Sequence, residues 1–359
     1  MTLGRIRPSL AGKCVAITGT TSGTGYWCAL AAVQKGAKAV LLLNRASPRS
    51  KIADNEIIEA GGKETAVHKV TCDLMSFESV RAAAADVAKL AEMYGGLDVL
   101  ACNAGIMSMP DERTEDEYDV QMQVNHLSHA LLLTLLQPSL EAAAAARGDA
   151  RIVSHSSGAR FLPLGSRKFG GKHFEKSAPG QLGGNAGTMT MMSFMGPQIT
   201  RYGHSKLANT VYTMALHDAL RANGSKIKSL GAEPGLASTS LIRNGWETKP
   251  GKRASQTLLG NMIPLMKIAG QSGADGACPL IMACFASEAT SGDLYCPSST
   301  FILPPIGKIY VKGMPKRTIV GGVPVRKGKE KRTVDPEKKA ACWKATEAAV
   351  GEFPKADKA

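Results

Sequence analysis

Short apolar runs recur along this chain, and each is followed by a longer segment of helical character. Lys13–Thr18 (KCVAIT), Ala39–Leu43 (AVLLL), Thr65–Cys72, Leu97–Cys102, Arg151–His155 and Lys226–Ala232 read as strands, with Asp293–Cys296 as a seventh. Between them, Gly23–Lys35, Ser50–Ala60, Ser76–Met93, Thr114–Ala146, Tyr202–Ala222 and Gly273–Ala286 read as helices. Strands that are apolar on both faces belong to a parallel sheet covered by helices on both sides. Right-handed crossovers then make it a doubly wound α/β sheet of the Rossmann type. Two stretches break the alternation. Phe161–Thr200 is rich in Gly, Ser and Met, and Gly307–Lys339 in Gly, Pro, Lys and Arg; both are expected to lack regular structure.

After the first strand comes Thr18-Gly19-Thr20-Thr21-Ser22-Gly23-Thr24-Gly25, and then a helix. Glycines at such a turn let the backbone approach a pyrophosphate. The helix N-terminus offers free N–H groups and the positive end of its dipole. Gly19, Thr21, Ser22, Gly23, Thr24 and Gly25 are therefore candidate dinucleotide contacts. The end of the second strand selects between dinucleotides. A carboxylate there would hold the adenosine ribose and repel a 2′-phosphate. This chain has Asn44-Arg45 instead, and Arg45 suits the phosphate of NADP(H). Cys72-Asp73-Leu74 and Asn103-Ala104-Gly105 end the third and fourth strands, the edge where ligands of open α/β sheets bind. They add Asp73, Leu74, Asn103, Ala104 and Gly105 to the candidate cofactor site.

Tyr202-Gly203-His204-Ser205-Lys206 places Tyr202 and Lys206 one helical turn apart on one face. Hydride transfer to a carbonyl leaves an alkoxide that needs a proton. A phenol beside an ammonium is suited to deliver it, because the positive charge favours phenolate and lowers the phenol pKa. Ser157, just past the fifth strand, could hydrogen-bond the reacting oxygen.

The ordered pieces TGTTSGTG, CDL, CNAG, VNHLSH, RIVSHSSG, YGHSKLAN and EPG resemble the motifs of the short-chain dehydrogenase/reductase family over about residues 10–300. The resemblance implies Tyr202 as acid/base, Lys206 as its helper and ribose ligand, and Ser157 as the substrate-orienting serine. It implies Asn125 as the anchor of a proton-relay water, and Pro234, Gly235 and Thr239 as the loop at the nicotinamide amide. NHLSH and SKLAN resemble the branch that holds retinol dehydrogenases, the WW-domain oxidoreductase and light-dependent protochlorophyllide reductase. Ala341–Gly351 resembles that branch's closing helix. The activity so implied is NADP(H)-dependent hydride transfer to or from an apolar carbonyl or alcohol, retinoid-, steroid- or isoprenoid-like. The expected organisation is one domain over 1–300, with an insertion at 161–200 and a substrate lid at 236–272. A basic extension, 301–359, follows.

The sequence departs from the pattern in three places. Ser157 and Tyr202 lie 45 residues apart, Glu233 stands where that branch has histidine, and Ser128 replaces a glycine. The insertion carries no cysteine, unlike that of protochlorophyllide reductases. Of the net charge of +14, +8 falls in residues 301–359. Such a tail could meet an anionic membrane surface, but no aromatic residues interleave as a nucleic-acid platform would require. The eight cysteines form no CxxC pair and no metal-ligand spacing, which suggests reduced thiols. With no apolar leader or span in the sequence, a cytoplasmic enzyme is the expectation. A catalytically idle NADP(H)-binding regulator and a peripheral membrane protein remain as alternatives, and a homo-oligomer is an open state.

Overall fold

The computed structural model describes residues 9–161, 173–182, 197–235, 272–298, 324–327 and 331–354. Among the described residues, eight strands form one sheet in the order β3-β2-β1-β4-β5-β6-β7-β8. They are β1 (Cys14–Thr18), β2 (Ala39–Asn44), β3 (Ala66–Thr71), β4 (Val99–Cys102), β5 (Ala150–His155), β6 (Ile227–Ala232), β7 (Leu294–Pro297) and β8 (Pro324–Lys327). β1 to β7 are parallel. The order reverses between β1 and β4, which opens the crevice where a doubly wound sheet binds its ligand.

Strand parity builds two cores. Cys14 and Ala16 of β1 face one side, Val15 and Ile17 the other, and all four are fully buried. The first core lies under α3 (Phe77–Glu92), α4 (Ser128–Arg147) and α5 (Pro197–Ala222). The second lies under α1 (Gly23–Gln34) and α6 (Gly273–Phe285), with Ile57 of α2 (Pro48–Gly61) at its margin. Helix starts follow local chemistry. Ser47 and Ser50 cap α2 reciprocally with Pro48 in the first turn, and the Ser272 hydroxyl accepts from Asp275 N–H at the head of α6.

Four expectations change. The helix expected from Thr114 begins only at Val120, because Asp119 caps it by accepting from Met122 N–H at 2.9 Å. A π-helical turn, Gln123–Leu127, then interrupts it before α4. α5 starts at Pro197, ahead of Tyr202. The stretch 307–339, read as lacking structure, contains β8, which pairs antiparallel with β7. β7 would otherwise end the sheet as an open edge, and covering an edge outweighs the weak local signal of Pro-Val-Arg-Lys. A four-residue strand is too short for an alternating pattern to register in the sequence. The candidate lid, 236–272, lies outside the described residues up to residue 271, and Thr239 falls within that part.

The last helix, α7 (Pro336–Val350), docks on the first core. Trp343 stacks on Tyr212 of α5 with centroids 5.2 Å apart, and Cys342 is fully buried. Thr346 meets His126 Nε2 at 2.9 Å. Among the described residues no helix is long and apolar enough to cross a membrane. Because Thr346 and His126 are both buried, Thr346→Val should lower unfolding free energy by about 1–3 kcal/mol, the cost of a stranded polar group. A urea titration measures this, and an unchanged midpoint would show that α7 is not fastened through His126.

Candidate active site

The turn between β1 and α1 is built on two polar side chains. Thr18 Oγ1 accepts from Asn103 N–H and Ala104 N–H, each at 3.0 Å, and meets His129 Nε2 at 2.8 Å. Asn103 Nδ2 donates to Thr18 O at 2.9 Å and Gly19 O at 3.2 Å, while its Oδ1 accepts from the Thr24 hydroxyl at 2.7 Å. Gly19 sits at φ +72°, and a Cβ there would meet Ala104 Cα at 2.9 Å. A Cβ on Gly25 would lie 2.3 Å from Gly19 O. Only glycine fits either place. Thr24 and Asn103, expected as cofactor contacts, thus spend their side chains inside the turn. Gly19, Thr21, Ser22 and Gly23 are partly exposed along it and could hold a pyrophosphate.

At the end of β2, the Asn44 side chain accepts from Thr20 N–H at 2.8 Å and donates to Thr20 Oγ1 at 2.7 Å and Asp54 at 3.1 Å. It fixes the turn from the other side, and sequence reading had not given it that role. Arg45 follows, exposed. Asp73 is half-buried with Oδ1 accepting from Met75 N–H at 3.0 Å. Leu74 is buried, and its carbonyl accepts from the Ser128 hydroxyl at 2.7 Å. That contact gives the substituted Ser128 its place. Gly105 passes so close to Asn125 and Lys206 that a Cβ would lie 3.1 Å from one and 3.3 Å from the other.

Around the end of β5 the structure gathers Ser157, Tyr202, Lys206 and Asn125. Tyr202 and Ser157 are hydrogen-bonded. Lys206 Nζ lies 5.7 Å from the Tyr202 ring centre and donates to His155 O at 3.0 Å. Asn125 is fully buried in the π-helical turn; Nδ2 donates to Ile106 O and Ser205 Oγ at 2.9 Å, and Oδ1 accepts from Ile106 N–H at 2.8 Å. The extra residue of a π turn re-aims a side chain, and such turns collect at functional sites.

Burial raises the Tyr202 phenol to about 12; the Ser157 hydrogen bond opposes this and the Glu233 carboxylate adds to it. Burial also lowers Lys206 to about 8. The largest influence on the phenol in the chain alone is therefore burial, which raises it. Glu233 owes its place to Arg160, 73 residues away in sequence. Arg160 donates to Glu233 Oε2 at 2.5 Å and to Ser157 O at 2.9 Å. The pair is 1% and 2% exposed, so each charge depends on the other. It ties the segment after Ser157 to the segment before Pro234 and Gly235, both partly exposed, with Gly235 at φ +69°. His173 and His204 stack beside this region with ring centres 4.1 Å apart. No cluster of His, Cys, Asp or Glu among the described residues has metal-binding geometry, and all eight cysteines are buried thiols.

A dinucleotide fits what is present: a glycine turn with no room for side chains, an exposed arginine at β2, and a lysine and tyrosine converging at β5. The family description "short chain dehydrogenase" matches residues 13–176. Human retinol dehydrogenase 11 is 33% identical over 235 residues, covering 66% of this chain and 64% of that protein. The short-chain dehydrogenase/reductase drtF of Aspergillus calidoustus is 30% identical over 245 residues, covering 65% and 70%. The chain thus spans a little under two thirds of the human relative. L-sorbose reductase of Gluconobacter frateurii, solved with NADPH and L-sorbose, shares the fold with TM-score 0.59 at 20% identity, covering 83% of this chain and 99% of that one. The chain belongs to the short-chain dehydrogenase/reductase family and resembles the retinol dehydrogenases within it.

Glu233→Gln leaves the Arg160 charge buried without its partner and should cost about 3–5 kcal/mol in a urea titration. Arg160→Met combined with Glu233→Met should recover most of that loss. If the double variant is simply the sum of the two single ones, the two side chains do not act as a pair.

Proposed function

We propose that this protein transfers a hydride between NADP(H) and the carbonyl or alcohol carbon of an apolar small molecule of retinoid-, steroid- or isoprenoid-like class, with Tyr202 as acid/base. The observation that carries the reading is the buried array of Tyr202 hydrogen-bonded to Ser157, with Lys206 and Asn125 packed against Gly105. The bound dinucleotide would supply the hydride in reduction and take it back in oxidation. In reduction the Tyr202 hydroxyl gives its proton to the substrate oxygen as the carbon gains hydride, so carbonyl, hydride and proton together become the alcohol. Ser157 holds that oxygen in line with the phenol. Lys206, lowered to about 8 but still ammonium at neutral pH, stabilises the phenolate left behind. Asn125 fixes Ile106 and Ser205 around this path. A phenol raised to about 12 stays protonated through neutral pH, which suits a proton donor.

NADP(H) is favoured over NAD(H) by the exposed Arg45 and by the absence of a carboxylate at Asn44, whose amide is occupied by Thr20 and Asp54. Arg45→Ala should therefore raise KM for NADPH much more than KM for NADH. Equal effects would remove Arg45 from the 2′-phosphate site. The relative named retinol dehydrogenase 11 supports an apolar, isoprenoid-type alcohol or aldehyde.

Tyr202→Phe keeps the ring and removes the proton. Turnover with a retinoid or other apolar carbonyl should fall by at least the ~10²-fold that a positioned acid contributes, with NADPH binding retained. The reductive rate of the unaltered enzyme should show no inflection from the phenol near neutrality. Near-normal turnover by the phenylalanine variant would refute the assignment.

A further inference from the structure

His155 is the last residue of β5 and is 7% exposed. Its Nδ1 lies 2.9 Å from Asn103 Oδ1. The orientation of that amide is fixed, because Nδ2 donates to Thr18 O and Gly19 O while Oδ1 accepts from the Thr24 hydroxyl. Asn103 Oδ1 is an acceptor, so His155 Nδ1 must carry the ring proton. Nε2 is then a bare lone pair in a neutral ring. Burial, with Lys206 nearby, keeps the ring neutral down to about pH 3. Nε2 is itself buried and has no hydrogen-bond partner. A buried acceptor without a donor is costly and needs an explanation. The ring is held in place on both sides. Asn103 ties it to the glycine turn, and the His155 carbonyl accepts from Lys206 Nζ and Asn209 Nδ2, each at 3.0 Å.

We propose that His155 Nε2 accepts a hydrogen bond from the nicotinamide-riboside half of the bound dinucleotide, making His155 a cofactor-binding residue. The proposal rests on the dinucleotide reading above and deepens it. A bare lone pair repels phosphate oxygens, so the pyrophosphate is excluded, and only the hydroxyl and amide N–H groups of the dinucleotide can serve. β5 stands three strands from β2 in the sheet order, about 14 Å at ordinary strand spacing. The adenosine half at Arg45 is therefore out of reach. The half next to Ser157 and Tyr202 remains, and it carries a carboxamide and a ribose diol. A histidine at this position thus reads the reacting end of the cofactor through its neutral form.

The test uses the full chain and two ligands, NADPH and 2′,5′-ADP, which lacks the nicotinamide riboside. His155→Asn keeps an amide nitrogen where Nδ1 stands and deletes Nε2. Fluorescence titration should show NADPH binding about three- to tenfold weaker, the effect of one hydrogen bond, with 2′,5′-ADP unchanged. In the unaltered protein, the 15N resonance of His155 Nε2 should move on adding NADPH and stay put with 2′,5′-ADP. That second measurement needs no variant to fold. Unchanged NADPH affinity, equal weakening of both ligands, or a still resonance would overturn the proposal; each points to a trapped water or a role in the turn alone. If the unaltered protein binds 2′,5′-ADP but not NADPH, the inference fails while the adenosine site stands. If it binds neither, the dinucleotide reading itself fails.

Discussion

Thr18 and Asn103 are the pair of side chains on which the rest of the site depends. Between them they hold the carbonyls of Thr18 and Gly19, the backbone N–H groups of Asn103 and Ala104, the Thr24 hydroxyl, and the rings of His129 and His155. β1, β4, β5, α1 and α4 all meet at this knot. Buried polar groups in a low-dielectric interior are costly unless paired, and a network as closely paired as this one, His155 Nε2 excepted, is stiff. The stiffness has a structural use. The glycine turn has no side chains of its own to hold its shape, so its shape must come from Asn103 beneath it and Asn44 beside it. A turn that approaches a pyrophosphate within hydrogen-bond range has to be positioned before the ligand arrives.

The charges near the reaction centre follow the same economy. Tyr202 is buried and held protonated, Lys206 is buried and drawn down toward neutrality, and His129 and His155 are neutral through burial. Arg160 and Glu233 are the fully formed charges, and they cancel one another. Lys206, at about 8, still holds its proton at neutral pH, so the pocket in the chain alone keeps that one positive charge. A positive nicotinamide entering it would shift both ends of the Tyr202–Lys206 couple, favouring phenolate and disfavouring the ammonium. On the proposed reading, burial keeps the Tyr202 proton in place and the bound dinucleotide sets its readiness to leave.

The layered sheet was legible because strands buried on both faces leave unbroken apolar runs such as AVLLL and KCVAIT. The glycine turn and the Tyr202–Lys206 spacing were legible because each depends on neighbours in sequence. Three features were not. A π turn adds one residue to a helix without changing composition, so Asn125 could be placed in the site only by resemblance. The partner of Glu233 lies 73 residues upstream, and nothing local to either residue announces the pair. Thr24 and Asn103 stand in the dinucleotide motif, which suggested contacts with the ligand, yet their side chains are turned inward to brace the turn. His155 was not legible for a related reason: a histidine closing an apolar strand has the pattern of a core residue, and its two nitrogens differ only through neighbours distant in sequence.

The basic extension illustrates how distant sequence can bear on the site. Its charge suggested contact with an anionic membrane surface and its last stretch resembled a closing helix; that helix, α7, is packed on α5 through Trp343 and Cys342. Thr346 bonds His126, and His126 bonds Asn209, which in turn donates to His155 O. His126 is the residue after Asn125 in the π turn. The same carbonyl that receives Asn209 also receives Lys206 Nζ. A continuous line of buried hydrogen bonds therefore runs from the closing helix through the π turn to the carbonyl that seats the lysine. The line stays within buried side chains, where each bond is costly to break, so the closing helix braces the same strand end that presents Ser157.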